Sequence, residues 1–148
     1  MTSTCTAARA SLTIRVLIDT GALLALANPR DQYHARAVET GRRFLAGGGR
    51  WVGTALVLAE FHGHLLHRRG PAAARAVVSA LLDDPAYQWR DVPMALVRAA
   101  IAGWLERFRD QHFSLTDAVS FELMRQERVA TAFAFDTDFV TAGFELLA

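Results

Sequence analysis

Thr13-Ile14-Arg15-Val16-Leu17-Ile18 runs directly into Asp19-Thr20-Gly21, an apolar, β-branched stretch that stops at an acid and a glycine. Such a run predicts a buried strand whose carboxyl end presents the Asp19 carboxylate. Val129 to Phe135 repeats the pattern as a fourth strand and stops at Asp136. Between them, a short helix over Ala22–Ala27 closes at Asn28-Pro29, and Asp31 caps a second helix reaching about Ala46 before Gly47-Gly48-Gly49. A short strand over Arg50–Gly53 leads to a helix capped by Thr54 that ends near Arg69, at Gly70-Pro71. A helix over Ala72–Leu82, a strand over Tyr87–Arg90, a helix opened by Pro93 as far as about Phe108, and one opened by Ser114 as far as about Arg128 follow. Phe144–Leu147 is a short fifth strand candidate.

Strands alternating with helices imply an α/β protein of three layers, α/β/α, around a central, mostly parallel sheet, because parallel neighbours need crossover connections. Ligands of such sheets bind at the carboxyl ends of the strands, where Asp19 and Asp136 fall. Residues 1–12 read as a flexible leader and 13–148 as a single domain, with no repeat or linker between.

Composition narrows the chemistry. The 148 residues are 52% apolar, enough for one core that buries roughly 68 to 70% of the unfolded surface. The formal charge of +1 supplies no global field for a polyanion, so nucleic-acid binding must be local. All 16 basic residues are arginine, which excludes Schiff-base catalysis and a lysine-bearing phosphate loop. Arginine still binds phosphate through its planar fork. The single cysteine, Cys5, forms no internal disulfide, and a cytoplasmic location is the simplest expectation. The apolar run from Val16 to Ala27 is interrupted by Asp19 and is too short to span a bilayer, which needs about 20 residues.

Two further acids join Asp19 and Asp136. Glu60 interrupts Leu56-Val57-Leu58-Ala59-Glu60-Phe61, a helical segment where charge is costly unless paired or metal-bound. Asp117 closes Ser114-Leu115-Thr116-Asp117, which has capping-box spacing. Each has a plain alternative: a cap for Asp19 and Asp117, an arginine partner for Glu60. Together they form the hard oxygen donor set that magnesium or manganese prefers. Four carboxylates held together repel one another, so the cluster makes physical sense when a divalent cation supplies the missing charge. The matching chemistry is metal-assisted phosphodiester hydrolysis, with one or two cations and no covalent intermediate. Asp138 is either an auxiliary ligand or an ordinary surface acid.

At these residues the chain resembles the PIN-domain ribonucleases, and among them the VapC-type toxins of toxin-antitoxin pairs. The resemblance runs from about Val16 to Leu147. It rests on Val16-Leu17-Ile18-Asp19-Thr20-Gly21-Ala22-Leu23, Leu58-Ala59-Glu60, Leu115-Thr116-Asp117-Ala118 and Phe133-Ala134-Phe135-Asp136-Thr137-Asp138-Phe139. It implies a PIN-like fold and four metal-binding, catalytic acids at Asp19, Glu60, Asp117 and Asp136. It further implies Mg2+ or Mn2+, cleavage of RNA, a homodimer and a cognate antitoxin. Family members often carry Ser or Asn where Gly21 stands and Arg where Thr137 stands, which leaves the metal cluster intact but puts substrate choice in question.

Other features carry less. His62, His64 and His67 share a helix with Glu60 but lack a zinc-protease spacing, and His34 and His112 are uninformative. Arg42 with Arg43, Arg68 with Arg69, Arg107 with Arg109, and Arg125 with Arg128 are local basic groups that either guide RNA or are simply solvated. Trp104 and Phe108 read as core or dimer packing rather than base-stacking platforms. Thr20 either orients a ligand through its hydroxyl or makes a turn hydrogen bond. An aspartyl phosphatase would need a second acid where Gly21 stands, and a phospho-receiver domain would need a lysine. The remaining rivals are a non-catalytic binding module and a housekeeping RNA-processing nuclease.

Overall fold

The computed structural model describes residues 12–147, so the leader proposed for residues 1–12 lies almost wholly outside the described residues. Among the described residues, five strands form one sheet: β1 (Arg15–Ile18), β2 (Arg50–Thr54), β3 (Tyr87–Arg90), β4 (Thr131–Phe133) and β5 (Glu145–Leu146). Their order is β3-β2-β1-β4-β5, and every neighbouring pair is parallel. The chain therefore builds outward from β1 through β2 to β3, then crosses back to add β4 and β5 on the other side. Such a reversal opens a crevice at the carboxyl ends of the two strands that flank it. Here those strands are β1 and β4, paired Leu17 to Ala132 and Ile18 to Phe133.

Alternate strand residues point to opposite faces, and each face has its own core. Val16, Ile18, Trp51 and Phe133 pack beneath α1 (Thr20–Ala27), α2 (His34–Ala46), α3 (Ala55–Arg69) and α4 (Pro71–Asp83). Leu17, Val52, Ala132 and Ala134 pack against α5 (Met94–Ala100), α6 (Leu115–Glu127) and α7 (Asp138–Thr141). Helices thus cover both sides, giving the α/β/α layering.

Local sequence chemistry sets most boundaries. Thr54 caps α3, its hydroxyl accepting from the Val57 N–H at 3.2 Å. Removing that acceptor with Thr54→Ala is expected to cost about 1 kcal/mol, a Tm fall of roughly 2–4 °C readable by thermal unfolding. Gly70 turns the chain from α3 into α4 at φ 83°, a conformation glycine adopts without penalty.

Several boundaries differ from expectation. Asp31 does not cap α2: the N-cap is Tyr33, whose N–H donates to the Asp31 carboxylate at 2.8 Å, and the helix starts at His34. Strand β4 is shorter than 129–135 at both ends: the Val129 N–H closes the preceding helix on the Met124 carbonyl at 2.9 Å, after Arg128 turns left-handed at φ 57°, and the strand stops at Phe133, three residues before Asp136. The helix opened by Pro93 loses α geometry after Ala100 and widens into a π turn over Ile101–Leu105, with the Glu106 N–H bonded to the Ile101 carbonyl. That wider turn seats Trp104 against Phe108, Phe121 and Phe144 while its indole N–H donates to Glu122 at 3.0 Å. Helix α7 was not anticipated; it starts where Asp136 accepts the Asp138 N–H at 3.0 Å.

Candidate active site

The sheet brings Asp19 and Asp136 to the crevice between β1 and β4. The Asp19 N–H donates to the Phe133 carbonyl at 3.0 Å, extending the ladder by one residue and fixing the carboxylate at its end. Asp19 stands at the N-cap of α1, yet its side chain makes no cap hydrogen bond. It is only 6% exposed. Burial first, then the charges of Asp136 and Asp117 and more weakly that of Glu60, push its carboxyl up to about 7, against an opposing hydrogen bond from the Thr20 backbone. The Thr20 hydroxyl beside it is buried without a protein partner.

Asp117 is both a cap and a member of the cluster. One carboxylate oxygen accepts the Ser114 N–H at 2.9 Å while the Ser114 hydroxyl accepts the Asp117 N–H at 3.0 Å, completing the predicted capping box. Its charge is nevertheless felt by Asp19, Asp136 and Asp138. Asp136 is open to solvent at the mouth, but protein on its inner side desolvates it and, with the charges of Asp138 and Asp117, raises its carboxyl above the usual range. Asp138, half-buried, is raised by burial and by Asp117.

Glu60 corrects one premise. It is exposed, not embedded, because α3 turns Val57, Phe61 and Leu65 inward and leaves Ala59 and Glu60 outside. The apolar letters around it misstate its surroundings. Its link to the site is electrostatic, through its effect on Asp19.

Arginine is distributed unevenly among the acids. Glu39 is bound by Arg42 and Arg43, Glu122 by Arg125, and Glu127 by Arg15 and Arg90. Among the described residues, none of Asp19, Glu60, Asp117, Asp136 and Asp138 has such a partner. Arginine thus neutralises three glutamates outside the crevice, while the crevice acids face one another without such a partner.

These carboxylates share a field rather than one point. Among the described residues, no three His, Cys, Asp or Glu side chains converge closely enough to cage an ion in their present rotamers. The donor chemistry does fit a hard divalent cation: carboxylate oxygens, an unpartnered Thr20 hydroxyl, and a buried Asp19 whose ionisation a cation would favour. The histidines of α3 add nothing to it; His62 is half-buried and His64 and His67 face solvent.

Sequence reasoning missed Glu122 and Glu127 as structural anchors, since their Trp104 and Arg15 partners lie 18 and 112 residues away. Burial and the Arg125 hydrogen bond act oppositely on Glu122, and the bond prevails, bringing its carboxyl down to about 2. Trp104 is core, as read. Among the described residues, no helix is long and apolar enough to cross a membrane.

Comparison with known proteins adds independent findings. A family model described as the PIN domain matches residues 16–145. The chain is similar to the 23S rRNA-specific endonuclease VapC20 of Mycobacterium tuberculosis, at 31% identity over 129 residues, covering 87% of this chain and 95% of the relative. A crystal structure of that VapC20, described as a sarcin-ricin loop cleaving toxin, superposes with a TM-score of 0.75 at 32% identity, over 87% of this chain and 95% of that one. FitAcB from Neisseria gonorrhoeae superposes with a TM-score of 0.62 at 16% identity, over 90% and 96% of the two chains, a likeness of fold alone.

Proposed function

The chain belongs to the PIN-domain family, and on that footing we propose that it is a metal-dependent endoribonuclease, the toxin of a toxin-antitoxin pair. The observation that carries this reading is the set of crevice carboxylates that no arginine neutralises, in a chain whose other buried or half-buried glutamates are paired. Because VapC20 acts on 23S rRNA and is described as cleaving the sarcin-ricin loop, a structured loop of ribosomal RNA is the substrate class.

Asp19, Glu60, Asp117 and Asp136 would hold Mg2+ or Mn2+, with Asp138 beside them. A divalent cation held there would supply an activated water and would stabilise charge on the leaving oxygen. Asp19 anchors the set, being the most buried of the four and the one most penalised by its neighbours. Asp117 and Asp136 each commit one oxygen to a backbone N–H, which fixes the side chain and leaves the second oxygen free of protein donors. Exposed Glu60 and Asp136 border the entry by which a phosphate arrives.

Capture of the polyanion falls to local arginines rather than to net charge. Arg30, Arg68 and Arg69 surround a cavity of about 380 Å3 at the carboxyl end of α1, with Leu24 and Leu65 in its wall. Arg42, Arg43 and Arg125 are less available because glutamates hold them. Exposed Met94, Ile101 and Leu115, all on the α5–α6 side, offer apolar surface for a homodimer. A cytoplasmic location and a cognate antitoxin complete the reading.

Incubation of purified protein with 23S rRNA and with a mixed RNA pool, in magnesium or manganese, tests it. Discrete cuts in the ribosomal RNA are expected, and none with Asp117→Asn, whose amide oxygen can still accept the Ser114 N–H of the capping box. A fully active variant would contradict the assignment of Asp117. No cutting by the wild type with either metal would contradict the enzyme.

A further inference from the structure

Beside the acid cluster lies a second, smaller cavity of about 260 Å3, walled by Gly21, Leu24, Asp31, Tyr33, Phe135 and Asp136. Its aromatic wall is preassembled. Tyr33 and Phe135 stack with centroids 4.6 Å apart and planes within 2°, and the Arg36 guanidinium lies over the Phe135 ring at 5.6 Å. Both residues are half-buried; their stack covers one face of each ring and Arg36 lies over Phe135, which leaves the second face of Tyr33 for a further ring. The volume falls below the roughly 300 Å3 at which small-molecule sites usually begin, which suits a single ring system.

The cavity and the metal-binding acids share residues. Asp136 belongs to both, and Gly21 stands between the cavity and Asp19, where even an added Cβ would lie 3.7 Å from the Asp19 carboxylate. No side chain at position 21 separates the two spaces. A group seated against the rings is therefore within one nucleotide's length of a phosphate at the carboxylates. Arg36 adds positive charge next to a site that is otherwise acidic, and Asp31 offers a hydrogen-bond acceptor at the rim.

We infer that Tyr33, backed by Phe135, binds the nucleobase flanking the scissile phosphate, stacking it and so fixing which bond reaches the carboxylates. The inference rests on the ribonuclease reading. Single-stranded RNA is held in this way because every base has a π-face, and a stacked base contributes enough affinity for its loss to be measured. Tyr33 and Phe135 are positioning residues and take no part in the bond-breaking step.

The test compares an RNA oligonucleotide spanning the mapped cut with the same RNA carrying an abasic ribose on either side of it. For the wild type, removing the base at one of the two positions should lower kcat/KM by roughly tenfold. Tyr33→Leu should lose about as much on intact RNA and nothing further on the abasic substrate, while Tyr33→Phe should keep wild-type behaviour. A Tyr33→Leu protein that slows on both substrates alike would overturn the inference and mark Tyr33 as merely structural. Fluorescence of 2-aminopurine at that position, bound to Asp19→Asn protein in magnesium, separates this step from catalysis. Where no cut maps a position, the probe is placed at each loop position in turn; quenching that needs Tyr33 supports stacking even if the wild type cuts no RNA, whereas quenching unchanged by Tyr33→Leu overturns it.

Discussion

Asp19→Asn is expected to abolish RNA cleavage and, in metal-free solution at pH 7, to make the protein more stable than the wild type. Loss of cleavage follows from removing the most buried charge of the cluster, and should exceed the roughly 10- to 100-fold cost of losing an outer-shell partner. The gain in stability follows from the direction of its pKa. Burial, with its acidic neighbours, pushes the Asp19 carboxyl from its ordinary 3.8 up to about 7 in the fold. Between those values the folded chain binds more protons than the unfolded chain, so stability falls as pH rises through that window. At pH 7 the accumulated cost reaches roughly 4 kcal/mol, and asparagine avoids it. A metal-free Tm several degrees above wild type at pH 7, with little difference at pH 4, is the expected pattern. Magnesium should then raise the wild-type Tm by binding only the folded state, and leave the variant nearly unchanged. Equal metal-free stabilities at both pH values would show that burial and the neighbouring acids do not penalise the Asp19 carboxylate.

Phe121→Ala is expected to produce the largest loss of stability, about 3–5 kcal/mol, or a Tm lower by roughly 6–20 °C. Phe121 is fully buried on α6 and meets Trp104, Phe113, Phe139 and Phe144 with centroids 5.0 to 5.8 Å apart. Those four rings come from the π turn, the loop before α6, α7 and the segment leading to β5, so this residue ties together most of one helical layer. The same helix carries Asp117. Cleavage by the variant should therefore fail at lower temperature than in the wild type, yet remain detectable where the protein is folded. A destabilisation below about 1 kcal/mol, measured by denaturant titration, would mean that this ring cluster does not hold α6 in place.

Much of the fold could be read from the chain because its signals are local. A strand ending in an acid announces Asp19, the same pattern brings Asp136 to within three residues of the end of β4, and Ser114 with Asp117 announces a helix start by spacing alone. The same locality explains the misreading around Glu60: apolar letters indicate burial on average, while the face a residue occupies depends on which side of α3 meets the sheet. Features made by distant segments were invisible. The Trp104–Glu122 bond, the Glu127 link between Arg15 and Arg90, and the stack of Tyr33 on Phe135 each require the fold to be known first. The π turn and α7 were hidden for a related reason, since neither has a distinctive composition and both answer to tertiary packing.

The most direct measurement is the cleavage rate of 23S rRNA by protein stripped with EDTA and then titrated with magnesium, with proton release followed in parallel near pH 7. The expected result is no cleavage without metal, saturable recovery as magnesium is added, and net release of protons as Asp19 ionises onto the cation. Cleavage that persists undiminished in EDTA, or returns without any proton release, would contradict a carboxylate-held cation as the source of the activity.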